Sequence, residues 1–197
     1  MCRAPTDVPF EVSVERLLAG AERGDSEAQR MLGDLFKRGD GVPRDETQAL
    51  HLFRLAAEQG NPCAQTDLGV MYRHGCGVPA DVAVAEEWFS LAARRGFPIA
   101  MYNLARIKEA DGEAAEAARL YSNASKAGDA PSASRLGELH LRGLGVARDR
   151  DEAERFFALA GELEANASEA WQQQRRPTQG RLRSRIGRVF FNRAVGE

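Results

Sequence analysis

At 197 residues, with 43% hydrophobic and 28% charged residues, the chain has the composition of a soluble folded protein, either one domain or an elongated array. No apolar run approaches the roughly 20 residues that span a bilayer. The start, "MCRAPTDVPFEVSVERLL", lacks the apolar stretch of a signal peptide, so a cytoplasmic location is expected.

Charge is unevenly distributed. Residues 175–197 carry seven arginines and one acid, or +6, against a net charge of −2 for the whole chain. Only three of the 27 basic residues are lysine, and alanine is abundant, a usage associated with GC-rich bacterial genomes. Aromatics are 7%, and such a composition favours helices packed closely through small side chains.

In chain order, residues 1–13 read as an N-terminal arm and 14–23 as a lone helix. Helix pairs follow. The first helix of each pair (A) is predicted at 26–38, 62–74, 98–110 and 131–142. The second (B) is predicted at 46–59, 82–95, 113–127 and 150–164. Three pairs are joined by related loops: "RGDGVPRD" at 38–45, "HGCGVPAD" at 74–81 and "RGLGVARD" at 142–149. The pair at 98–127 has only the shorter Asp111–Gly112 turn. Four leucines, Leu32, Leu68, Leu104 and Leu136, keep step in "MLGDLF", "DLGVMY", "NLARI" and "RLGELH". The Arg-Gly-Asp of the first loop is turn grammar rather than an adhesion signal. Its aspartate becomes Cys76 and Leu144 in the echoes, while the glycines, valine and final aspartate recur.

The punctuation has a mechanism. Pro62, Pro98 and Pro131 fall at helix starts, where a missing N–H costs nothing. Asp45, Asp81 and Asp149 are placed to cap the B helices, and Asp45 with Gln48 and Asp149 with Glu152 have the spacing of reciprocal capping boxes. Ala28, Leu32, Gly33 and Phe36 match Ala64, Leu68, Gly69 and Tyr72. Ala49, Leu52, Phe53, Ala56 and Ala57 match Ala85, Trp88, Phe89, Ala92 and Ala93. Spacings of three and four put each set on one helix face, so Tyr72, Trp88 and Phe89 read as core rather than as a ligand box. Cys63 and Cys76 flank one helix about 20 Å apart, too far for a disulfide. The thiols are expected to be reduced.

These units resemble the Sel-one-like repeat, a subclass of the tetratricopeptide-like solenoids. The pattern A-x-x-x-L-G-x-x-Y/F-x-x-G-x-G-V-x-x-D, ending A-A-x-x-G, is carried by Ala28–Gly60 and Ala64–Gly96. Ser132–Glu164 carries it less fully, and Ala100–Gly128 lacks the glycine loop. The resemblance implies an all-α fold, a right-handed α/α solenoid of about four antiparallel helix-pair repeats over 14–165. It also implies a non-enzymatic scaffold or adaptor with a concave groove. Residues 166–180 would form a terminal cap helix and hinge, with Asn166 and Glu169 opening the helix, Trp171 facing the last repeat, and Pro177 and Gly180 in the hinge. Residues 181–197 form a basic tail.

By analogy with tetratricopeptide repeats, the partner-binding groove is predicted to be lined by Arg30, Asp34, Lys37, Arg38, Val70, Arg73, His74, Tyr102, Arg106, Glu109, Glu138 and Arg142. Glu27, Thr66, Ser134 and Leu141 lie on the same faces. Arg73, Tyr102 and Arg106 would meet across two repeats. There arginine can grip a carboxylate and tyrosine can cover an apolar group, which fits an acidic peptide or chain terminus. Arg181, Arg183, Arg185, Arg188 and Phe190 of the tail suit nucleic acid or an anionic membrane surface. No cofactor, metal or small-molecule substrate is expected. His140 falls at the Phe36/Tyr72 core position, and His74-x-Cys76 lacks two further zinc ligands. Some cysteine-rich relatives of this kind process β-lactams, which makes a hydrolase the alternative. The chain has neither S-x-x-K nor K-T-G.

Overall fold

The computed structural model describes residues 14–175, except the side chains of Trp171, Gln173, Gln174 and Arg175. The arm at 1–13, the Pro177–Gly180 hinge and the tail residues Arg181, Arg183, Arg185, Arg188 and Phe190 lie outside the described residues, as does the Trp171 side chain. Nine helices and no strand occur among the described residues: α1 (Val14–Glu22), α2 (Ser26–Arg38), α3 (Glu46–Glu58), α4 (Pro62–His74), α5 (Val82–Arg94), α6 (Pro98–Ala110), α7 (Ala114–Lys126), α8 (Ala130–Arg142) and α9 (Arg150–Arg175). They build an α/α solenoid. Each helix from α1 to α7 packs on its successor. None is long and apolar enough to cross a membrane.

The helix ends follow local chemistry. Asp25, Asn61 and Asp45 each accept two N–H groups from the first turn of the helix they precede, and Asp81, Asp129 and Asp149 accept one. The expected reciprocal capping boxes are only half formed. The N–H of Asp45 donates not to Gln48 but to the Phe36 carbonyl (2.9 Å), and that of Asp149 to His140 (3.0 Å). Asp81 binds Tyr72 in the same way (2.8 Å). The loop thus uses the capping residue to pin itself to the preceding A helix, and no donor remains for the glutamine or glutamate. Both glycines of each long loop adopt left-handed backbone.

Packing repeats with the same regularity. Gly33, Gly69 and Gly137 let the rings of Phe53, Phe89 and Phe157 lie directly on the A helix. Phe53 and Phe89 are fully buried, and Trp88 packs against the core as expected. His140 stacks on Phe156 with centroids 5.5 Å apart, as a packed aromatic. Buried Gln29 and Gln65 donate to the carbonyls of Ala21 and Ala57, tying each A helix to the end of the B helix before it.

Two expectations change. α9 runs without a break through Asn166 to Arg175, so no separate cap helix opens there. No proline or glycine interrupts residues 162–175, and helix propagation continues. Contacts divide the chain into units at 1–160 and 161–197. In the second unit, Gly161–Ala170 is exposed except for half-buried Leu163. Cys63 is disulfide-bonded, whereas Cys76 is free. The distance argument excluded only a bond between those two.

Candidate functional site

The groove positions fall into two groups. On α2, Arg30 and Asp34 are buried rather than offered to a ligand. Arg30 pairs with Glu27 at 2.7 Å and reaches Asp67 of α4 at 3.9 Å, and Arg38 Nε lies 3.1 Å from Asp34. Burial pushes the Asp67 carboxyl up to about 6, against the opposing pull of Lys37 and Arg30. Arg30, Asp34 and Arg38 of this first stretch are thus consumed by internal pairs, while Lys37 makes no ion pair among the described residues. His74 and Arg142 are exposed, and Val70 is half-buried against the core.

The second group is different. Arg73 of α4, Tyr102, Arg106 and Glu109 of α6, and Ser134, Arg135 and Glu138 of α8 line one open depression of about 780 Å³. The expected meeting of Arg73, Tyr102 and Arg106 is therefore present in the fold. The Arg106 guanidinium sits 5.8 Å from the centroid of the Tyr102 ring, and that ring packs against Tyr121 at 5.8 Å. Arg73 donates to Asn103 Oδ1 at 3.4 Å. Neither Arg73 nor Arg106 makes a salt bridge among the described residues. Burial first, then the charge of Arg106, lowers the Arg73 guanidinium from its ordinary value.

The two acids here are already engaged. Arg135 donates to both oxygens of Glu109, at 3.0 and 2.6 Å, and also to Glu138. Tyr121 donates to Glu109 at 3.1 Å. Burial alone would raise the Glu109 carboxyl, but these hydrogen bonds hold it below the usual range. Tyr121 is pushed up by burial and then by Glu109. The depression therefore presents two free cations beside a closed network of carboxylates.

Arg135, Asn103 and Asp67 escaped the sequence reading. A signal was there: the residue before each aligned leucine is Met31, Asp67, Asn103 and Arg135, polar in three of the four repeats. Among the described residues, no group of three or more histidines, cysteines or acids is placed to hold a metal ion.

The model of the Sel1 repeat matches residues 26–61, 64–97 and 130–164, more than half of the chain. The chain belongs to the Sel1 repeat family, within the tetratricopeptide-like α/α solenoids, whose repeats are in general protein-interaction modules. The unmatched interval holds α6 and α7, the pair with the short turn. Among solved structures, a protective antigen of uropathogenic Escherichia coli with an SLR fold is similar at 35% identity and TM-score 0.73, over 77% of this chain and 33% of that one. A Sel1 repeat protein from Oxalobacter formigenes is similar at 32% identity and TM-score 0.66, over 82% and 48%. An immunity protein from Pseudomonas aeruginosa is similar at 26% identity and TM-score 0.54, over 75% and 56%. The chain thus spans a third to about half of the first two. No curated protein matches it.

Proposed function

We propose that this protein is a non-enzymatic scaffold that binds a protein or peptide partner along its A-helix face, with an acidic group of the partner seated at Arg73 and Arg106. The carrying observation is the pair of guanidiniums without carboxylate partners in a depression whose acids are all engaged by Arg135. Arginine's planar fork suits a carboxylate, and the Tyr102 ring supports the fork of Arg106. Membership of a family of interaction modules supports the same reading.

Affinity capture from native lysate tests it. The full-length protein is expected to retain a partner that Arg73→Ala with Arg106→Ala loses, while circular dichroism and melting stay unchanged. Equal capture by the double variant would refute the assignment. The +6 segment at 175–197 supports a second reading, in which the tail engages nucleic acid or an anionic membrane. Under that reading, truncation at Pro177 removes a steeply salt-dependent association, whereas capture by the groove survives.

A further inference from the structure

The chemistry of the depression narrows the acidic group it takes. Arg73 and Arg106 come from successive A helices, and both open onto one cavity. Several other charges on this face are paired off: Arg30 with Glu27, Arg38 with Asp34, and Arg135 with both Glu109 and Glu138; Lys37 and Arg142 make no ion pair among the described residues but do not line this cavity. Two like charges with no carboxylate in contact are left lining one depression, near enough for the charge of Arg106 to act on Arg73. Arg73 bears the cost, since its charged form is disfavoured by burial and by Arg106.

A guanidinium presents five N–H donors in a planar fork. One carboxylate has two oxygens and one negative charge, enough to saturate one fork. A phosphate monoester has three free oxygens and a charge of about −1.5 to −2 at neutral pH, which suits two forks and neutralises both. The two arginines are braced differently but both held. Arg106 lies over the Tyr102 ring, and Arg73 is tethered to Asn103. Arginines oriented before the ligand arrives lose less freedom on binding. The Ser134 hydroxyl is a further donor on the same wall.

Resting on the groove reading above, we infer that the Arg73–Arg106 depression is a phosphate-monoester site for a phosphorylated side chain of a peptide partner. Phosphate enters as a dianion bridging both guanidiniums, and the adjoining A-helix face takes the flanking residues.

The probe is N-acetyl-phosphoserine amide, titrated into the full chain while the Nε–Hε resonances of Arg73 and Arg106 are followed by NMR. N-acetyl-glutamate amide, N-acetyl-serine amide and inorganic phosphate are titrated in parallel. The phosphoserine derivative is expected to shift both arginine resonances and to bind roughly tenfold or more tightly than the glutamate derivative. Either Arg73→Ala or Arg106→Ala should abolish that preference with melting unchanged. Equal binding of the glutamate derivative would overturn the phosphate assignment and leave the acidic-peptide reading standing. Inorganic phosphate binding as tightly as the phosphoserine derivative would make this a free-phosphate site and overturn the peptide part. Silence of both arginine resonances toward every anion would overturn the assignment and the acidic-group reading together. Lysate capture that persists in the face of that silence, and survives the double variant, would place partner binding elsewhere on the chain.

Discussion

Gly77 shows how one residue joins two repeats. It is the second glycine of "HGCGVPAD", with φ of +68°, and a Cβ there would lie 2.6 Å from the Glu46 carbonyl oxygen at the start of α3. The loop of the second repeat thus rests on the backbone of the first. Gly112 has a similar φ of +83° but nothing within 4 Å of its Cβ position. The two residues separate backbone strain from contact. Gly112→Ala is expected to cost about 1 kcal/mol through the left-handed backbone alone. Gly77→Ala should cost roughly 2–4 kcal/mol, because the loop must also lift from α3. Urea denaturation of both variants measures the gap. Equal losses would mean that the loop does not bear on the neighbouring repeat.

At the scale of the element, the helix pair α6–α7 departs from its neighbours. The backbone shows how it aligns. Glu113 N–H donates to the Lys108 carbonyl at 2.8 Å, the bond made elsewhere by Asp45 to Phe36, Asp81 to Tyr72 and Asp149 to His140. Lys108 therefore stands where the other repeats place an aromatic ring. Its ammonium bridges Glu86 of α5 at 2.6 Å and Glu113 at 3.2 Å, so an ionic clip replaces ring packing where the loop is short. Hydrogen bonds to Glu86 and then Glu113 raise the Lys108 ammonium above its ordinary range. Lys108→Met, which keeps the stem, is expected to lose about 1 kcal/mol at low salt and less in molar salt. A variant as stable as the parent at both salt concentrations would show the clip to be idle. The sequence located both helices of this pair from Leu104, Pro98 and Asp111–Gly112. It did not reveal the clip, because an aromatic-to-lysine change removes the apolar signal that defines the column. The depression was half legible for a related reason. Arg73, Tyr102 and Arg106 follow from the tetratricopeptide analogy applied to helical spacing, but Arg135 meets Glu109 across repeats, at a distance set by how the helix pairs stack. The contact of Arg30 with Asp67 has the same origin, since it joins α2 to α4.

For the whole solenoid, the decisive feature is that strong packing is sequential: α2 on α3, α3 on α4, and so on through α7 on α8. A chain held together this way has a stability close to a sum of repeat and neighbour terms. Gly33 and Gly137 test this, because each accommodates a phenylalanine ring in a different repeat and they share no helix. A Cβ at Gly33 would lie 3.0 Å from the Phe53 ring, and one at Gly137 would lie 2.8 Å from that of Phe157. Each alanine variant is expected to cost roughly 1–3 kcal/mol by overpacking. The Gly33 site should be the more sensitive of the two, since Phe53 is fully buried whereas Phe157 is 38% exposed and has room to yield. Because the sites are independent, the double variant should lose the sum of the single losses to within about 0.5 kcal/mol. Gly69→Ala combined with Phe89→Leu is the contrasting pair. There the Cβ meets the very ring that is trimmed, at 2.7 Å, so the double variant should lose clearly less than the sum. Denaturant titrations of the six variants decide the matter. Coupling of more than about 1 kcal/mol between Gly33 and Gly137 would show that strain travels across intervening repeats, contrary to a solenoid held by neighbours alone.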